Sequence, residues 1–182
     1  MKFDNPSELL AKADADGYRR VLIVTALPLE MAAVRAHTKH VGSSQGRDGN
    51  VFEFGHFAGT GSHWLVVVGE SGAGNLQSQG IVTNACMQFG PFELIIFVGV
   101  AATRKAADAP IGSVVISSHV YLASVGKYQD GRFFPRAREI PTNPQLLGLG
   151  KKVIRDQKWH ERLIDLPPLK WSSLMYGFDH GG

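Results

Sequence analysis

Glu30 is the residue whose type and position in this sequence best suit catalysis. It falls in the first turn of a helix predicted over residues 27–40, directly after an apolar strand predicted over residues 20–26. Such a residue stands at the carboxyl edge of a sheet, where ligands of α/β proteins bind, and a carboxylate there can act as a general base. Because the helix dipole also favours acidic residues in first turns, the position alone is compatible with a purely structural role.

A second strand end, GESGAGN at residues 69–75, carries glycines with nearly the spacing of a phosphate-binding loop. Asn75 and Leu76 occupy the places of that loop's phosphate-binding lysine and magnesium-binding hydroxyl, so an ATPase is excluded. The dinucleotide fingerprint is excluded too, because the glycines follow the order GxxGxG. Two interpretations remain: a turn whose backbone N–H groups approach an anion or a sugar, and a plain tight turn.

Other patterns in the sequence favour structural roles. GSSQG at residues 42–46 has the letters of a hydrolase nucleophile motif but lacks the buried strand that must precede it. His37 and His40 have no Cys, Asp or Glu nearby to complete a metal shell. Cys86 is the single cysteine, which excludes a disulfide framework and a cysteine-rich zinc site. We therefore predict neither a metal nor a cofactor.

The composition is that of one globular domain. The chain has 182 residues, of which 44% are hydrophobic and 19% charged, and no apolar run approaches a membrane span. Its first residues lack the apolar middle of a secretory signal, so a reduced, cytoplasmic protein without membrane contact is expected. Residues 127–170 carry ten Lys/Arg against five Asp/Glu, a skew typical of a solvated face, and no nucleic-acid partner is expected.

Hydrophobic periodicity and turn residues predict an α/β fold with a central mixed sheet between helices. Three strand ends would lie at one edge of this sheet, at residues 26–30, 69–75 and 99–104. The predicted elements are a helix over 7–14, a strand over 20–26, a helix over 27–40, a loop over 42–50, strands over 51–58 and 64–69, a helix over 75–89, strands over 94–100 and 111–120, and a helix over 143–163.

Four segments in this order and at these spacings resemble the nucleoside phosphorylase superfamily: VLIVTALPLEMAAVRAH, GESGAGN, FGPFELIIFVGVAA and IGSVVISSHVY. The similarity is greatest to methylthioadenosine/S-adenosylhomocysteine nucleosidase-like proteins and covers about residues 20–155. It implies a three-layer α/β/α sandwich, usually assembled as a homo-oligomer, that cleaves the N-glycosidic bond of a purine nucleoside. A small-molecule purine nucleoside is therefore the expected partner.

The resemblance also implies roles for individual residues. Glu30 matches the carboxylate that activates water in the nucleosidases. The turn that lines the ribose and the nucleophile corresponds to Ser71, Gly72 and Ala73, and the strand end that carries the nucleoside corresponds to Gly99, Val100, Ala101 and Ala102. The loop TALPLE has no Arg or Lys to hold a phosphate, so hydrolysis is favoured over phosphorolysis. A phosphate-dependent phosphorylase and an inactive nucleoside-binding module remain the alternatives.

The chain departs from the superfamily pattern in two places. The superfamily's AGG sequence is replaced by Ala101-Ala102-Thr103, whose side chains can obstruct a ligand. The C-terminal third of the superfamily pattern is expected to be missing. With it are missing the Glu that binds the ribose and the Asp that protonates the purine. The resemblance therefore implies descent from nucleosidases but does not imply that this chain turns over a nucleoside. The expected divisions of the chain are a polar lead-in at 1–19, a partial nucleoside phosphorylase-like domain at 20–166 and an atypical tail at 167–182. Without the missing third, the apolar faces of the strands near residues 94 and 111 are expected to be partly bare.

Overall fold

The computed structural model describes residues 6–46, 48–59, 61–72, 74–102, 112–122, 126–136 and 138–156. The chain divides into two compact units, residues 1–104 and residues 105–182. Within the described ranges, no helix has both the length and the apolar character needed to cross a membrane.

The first unit contains the predicted mixed sheet. Its five strands lie in the order β2-β3-β4-β1-β5; β1 is parallel to both β4 and β5, whereas β3 is antiparallel to both β2 and β4. The elements are α1 (Pro6–Ala15), β1 (Arg19–Thr25), α2 (Pro28–Arg35), β2 (Lys39–Gln45), β3 (Val51–Gly59), β4 (Ser62–Glu70), α3 (Asn75–Phe89) and β5 (Leu94–Phe97).

Helices cover both faces of this sheet, which confirms the expected three-layer α/β/α arrangement. Side chains alternate along β1, so Leu22 and Val24 pack in one apolar cluster with α1 and α3. Val21 lies on the opposite face, in a second cluster with Val34 of α2. Each fully buried large side chain, such as Leu22, contributes on the order of 1.5–3 kcal/mol to stability.

Two elements of the first unit differ from the sequence prediction. Residues 42–50 were expected to form a loop, but β2 extends over Lys39–Gln45 at the edge of the sheet. This strand is polar and buries only Val41, so it carries no hydrophobic signal. The helix predicted over residues 27–40 ends at Arg35, because the chain turns there into β2.

Much apolar surface of β5 is exposed, although its sequence is the most apolar in the chain. Phe97 is 60% exposed and Ile95 is 45% exposed. The opposite face of the sheet has an apolar groove of about 310 Å³ beside α2, which has only eight residues, and Leu94 and Ile96 of β5 line this groove. The strand prediction is confirmed for Leu94–Phe97, and the expected bare apolar face is present at this strand.

The described residues of the second unit form two small antiparallel sheets and a helix. Its elements are β6 (His119–Leu122), β7 (Gly126–Gln129), β8 (Arg132–Pro135), β9 (Arg138–Pro141) and α4 (Pro144–Asp156). Strand β6 pairs with β9, and β7 pairs with β8 through a tight turn in which Asp130 and Gly131 have positive φ. The strand predicted over residues 111–120 is shifted to His119–Leu122 among the described residues.

Candidate functional site

Glu30 is held at the start of α2 by the backbone before it. Leu27 has extended backbone dihedral angles and precedes Pro28, whose ring suits the first helical position. Two residues further on, the Glu30 side chain turns back, and its Oε2 accepts hydrogen bonds from the N–H groups of Ala26 at 2.8 Å and Leu27 at 2.9 Å. This is the acidic half of a capping box, and it satisfies N–H groups that the helix itself leaves without partners.

The same carboxylate also reaches the chain segment that follows β5. Oε1 of Glu30 accepts a hydrogen bond of 2.7 Å from the N–H of Val100. The N–H of Val98 in turn donates to the carbonyl of Val24 at 2.9 Å, which continues the pairing of this segment with β1. Glu30 is only 6% exposed and joins the end of β1 to the end of β5.

Glu30 is ionised at neutral pH. Burial disfavours the charge and by itself raises the pKa of the Glu30 carboxyl. The N–H groups of Val100, Ala26 and Leu27 outweigh this effect and hold the pKa below its ordinary value. The three bonds occupy both acceptor positions of Oε2 and one of Oε1, so among the described residues one position on Oε1 remains for a water or hydroxyl group.

The turn after β4 is attached to the same part of β1. The N–H of Ser71 donates to the carbonyl of Thr25 at 2.8 Å, and its hydroxyl lies 3.2 Å from the same oxygen. The hydroxyl also donates to the carbonyl of Gly72 at 2.9 Å and lies 3.1 Å from Oγ of Ser78. Gly72 has a φ of 70°, a left-handed conformation that favours glycine and turns the chain toward α3.

The structure brings most of the predicted site residues to one edge of the sheet. Glu30, Ser71, Gly72, Gly99 and Val100 lie at the carboxyl ends of β1, β4 and β5, which are adjacent and parallel. Their proximity was expected from the sequence, whereas their roles in binding and catalysis stay predictions.

The other predicted site residues are Ala73, Ala101 and Ala102. Ala101 and Ala102 follow Val100 and are exposed. Ala73 lies outside the described residues, so its predicted role has no structural description. Among the described residues, no group of three His, Cys, Asp or Glu side chains is arranged to hold a metal ion.

Sequence reasoning missed two features of the site. The Val100 amide is the third donor to Glu30, and no side chain in the sequence signals it. Thr25 is fully buried, and its hydroxyl has no hydrogen-bond partner among the described residues. A threonine at the end of the apolar run RVLIVT could have indicated a polar group beneath the site, because strand β1 is buried on both faces.

Comparison with solved structures finds the same fold in nucleosidases. The S-adenosylhomocysteine nucleosidase from Streptococcus pyogenes in complex with 5-methylthiotubericidin has 20% identity and a TM-score of 0.64, over 78% of this chain and 59% of that chain. The 5'-methylthioadenosine/S-adenosylhomocysteine nucleosidase from Helicobacter pylori has 21% identity and a TM-score of 0.60, over 77% and 60%. Native futalosine hydrolase from Helicobacter pylori has 21% identity and a TM-score of 0.58, over 77% and 61%.

The chain has the α/β fold of these proteins and spans about three fifths of their length. No protein-family model matches the sequence, and no curated protein matches it. The structural likeness confirms the fold that the sequence resemblance implied.

Proposed function

We propose that this chain derives from purine-nucleoside N-ribosyl hydrolases and that Glu30 orients the attacking water. One observation carries the proposal: a buried, ionised carboxylate lies where three parallel strands end and has one acceptor position that no described residue occupies. The fold supports it, because solved structures of that fold include a nucleosidase in complex with 5-methylthiotubericidin and one with butyl-thio-DADMe-Immucillin-A. The expected partner is therefore a small-molecule purine nucleoside.

The proposed reaction needs orientation more than a strong base. The bond between the anomeric carbon and the purine nitrogen breaks, and its electron pair leaves with the base. Water adds to the resulting oxocarbenium-like carbon, its proton passes to Oε1 of Glu30, and the purine takes a proton from solvent. Since three N–H groups lower the pKa of Glu30, its basicity is weak. Weak basicity suffices when the water is deprotonated after the glycosidic bond has largely broken.

The charge of the described residues at this site favours water over phosphate as the nucleophile. Glu30 is anionic, and residues 26–29 of the turn beside it contain no cation. A phosphate placed next to this carboxylate would be repelled, whereas a water molecule can donate a hydrogen bond to it. Hydrolysis is thus the first candidate, and phosphorolysis is the alternative within the same lineage.

The test is product analysis by mass spectrometry after incubation with adenosine, methylthioadenosine and S-adenosylhomocysteine. In water enriched in ¹⁸O and free of phosphate, we expect release of the base and a ribose product that carries the label. Base release only when phosphate is added would identify a phosphorylase. Thermal stabilisation by nucleoside without any base release would identify a binding module and refute the hydrolase proposal.

Glu30→Gln removes the charge and one acceptor oxygen, and we expect turnover to fall by about 10²–10⁴-fold. Glu8→Gln is the matched control, because Glu8 occupies the third position of α1 after Pro6, just as Glu30 follows Pro28 in α2. Equal turnover of the two variants would contradict the role of Glu30.

We also infer that the chain self-associates. The exposed apolar side chains of β5, among them Ile95 and Phe97, support this inference, as does the oligomeric state usual in the superfamily that the sequence resembles. Light scattering coupled to gel filtration tests it, and a monomer over the whole micromolar range would contradict it. A reducing, cytoplasmic environment is part of the same proposal, consistent with Cys86 being a free thiol.

A further inference from the structure

Gly99 has no side chain at a point where the chain passes against the Glu30 carboxylate. A Cβ atom placed on Gly99 would lie 2.8 Å from Oε1, 3.1 Å from Cδ and 3.2 Å from Oε2 of Glu30. Carbon atoms do not approach carboxylate oxygens this closely without a shift of one group. The glycine therefore makes room for the end of the Glu30 side chain.

Backbone conformation gives no other reason for a glycine here. The glycines with left-handed φ near the site are Gly72 at 70° and Gly74 at 126°, and Gly99 is not in this conformation. An alanine could adopt the backbone angles of Gly99, so a methyl group at this position would disturb the carboxylate before it strained the chain. This separates Gly99 from the turn glycines, whose backbone angles themselves favour glycine.

We propose that Gly99 is a positioning residue for Glu30: the missing side chain lets Oε1 reach the N–H of Val100 and leaves its second acceptor position free for water. The catalytic consequence rests on the proposed hydrolase function, whereas the positioning itself does not. Gly99 was expected from the sequence to contact the nucleoside, and that role stays a prediction. The geometry adds that any side chain at this position would meet the Glu30 carboxylate.

Replacement of Gly99 by alanine has a defined electrostatic consequence. The methyl group would push Oε1 away from Val100, so the buried carboxylate would lose one of its three donors. Among the described residues, the groups that set the Glu30 pKa are these three backbone amides and the apolar surroundings, with no charged side chain among them. When one amide donor is lost, fewer hydrogen bonds offset the effect of burial on the charged form, and the pKa of Glu30 rises.

The first experiment measures this pKa without requiring turnover. The chain is labelled with ¹³C at its glutamate carboxyl carbons and titrated by NMR, and Glu30→Gln identifies the Glu30 resonance. We expect Glu30 to titrate at a higher pH in Gly99→Ala than in the unmodified chain. Gly80→Ala is the matched control, because a Cβ on Gly80 of α3 meets no atom within 4 Å. An unchanged Glu30 titration in a folded Gly99→Ala chain would overturn the proposal.

A second variant keeps the proposal falsifiable if Gly99→Ala fails to fold. Truncation of the carboxylate in Glu30→Ala removes the atoms that the new methyl group would meet. The double variant Glu30→Ala/Gly99→Ala should then be as stable as Glu30→Ala alone in urea unfolding. If Gly99→Ala lowers the free energy of unfolding equally with and without the Glu30 carboxylate, the backbone itself requires glycine at this position and the proposal is wrong.

Activity separates this inference from the proposed function. If the unmodified chain hydrolyses a nucleoside, Gly99→Ala should lower kcat by about 10²-fold with little change in KM, because the water is misplaced. If the unmodified chain releases no base but the Glu30 titration shifts as expected, the hydrolase proposal fails and the positioning role stands. If base is released and the titration does not shift, the positioning role fails alone.

Discussion

Helices α1 and α2 begin with the same local chemistry, Pro6-Ser7-Glu8 in one and Pro28-Leu29-Glu30 in the other. Glu8 is exposed, whereas Glu30 is buried and binds three backbone N–H groups. What distinguishes Glu30 is the strand before its helix and the strands beside that strand. Helix α2 follows directly on β1, which lies between two parallel strands, so its first turn meets the end of β5. The same helix start becomes a candidate site only where strands converge on it.

The two helix starts should differ most in stability when alanine replaces Glu30 in one and Glu8 in the other. Glu30→Ala removes three hydrogen bonds to a charged group and leaves the amides of Ala26 and Leu27 poorly satisfied, so it should lower the free energy of unfolding by about 3 kcal/mol. Glu8→Ala should cost at most about 0.5 kcal/mol, because its contribution is that of an exposed charge near a helix dipole. Urea unfolding of both variants measures the difference, and similar losses would contradict the comparison.

A change of pH is expected to have an intermediate effect on the free energy of unfolding. The folded-state pKa of Glu30 lies below its unfolded value, so the stability that its charge contributes is present above the unfolded pKa and is lost as the pH falls through the folded pKa. The unfolding free energies of the unmodified chain and Glu30→Gln should therefore converge on acidification from neutral pH. A difference that stayed constant down to the lowest pH at which both chains fold would show that the charge contributes nothing.

The smallest effect is expected from Thr25→Val at the end of β1. The substitution keeps the shape of the side chain and removes a buried hydroxyl without a hydrogen-bond partner among the described residues. We expect an increase in the free energy of unfolding of about 1 kcal/mol, measured by urea unfolding. A loss of stability of similar size would mean that the hydroxyl has a partner in solution, and Thr25 would then belong to the site.

The sequence predicts well those elements whose own residues contain the signal. Strand β1 follows from the short, β-branched apolar run RVLIVT, which is typical of a strand covered on both faces. Helix α3 is found over the predicted residues 75–89, because Gly74 and Gly90 bound a segment that contains no proline. Glu30 was identified from its place at the junction of strand and helix, and it lies at that junction in the structure.

The sequence predicts poorly what depends on distant neighbours. Strand β2 is polar and forms because β3 pairs with it, a contact that local propensity does not express. The bond from Val100 to Glu30 joins residues 70 positions apart through a main-chain group, which has no sequence signature. The exposure of β5 likewise depends on what lies beside the strand. Its apolar sequence alone predicts burial, and a partly bare face was expected only because the resemblance implies a missing C-terminal third.

Glu30 accepts its hydrogen bond from the main chain of Val100, and this determines which mutations at position 100 preserve the bond. Val100 is 77% exposed, so its side chain is nearly free of packing constraints, and Glu30 contacts only its amide. Proline is the one amino acid without this donor. The hydrogen bond to Glu30 can therefore survive almost any mutation at position 100, and a comparison of diverging sequences would overlook a position on which the carboxylate depends.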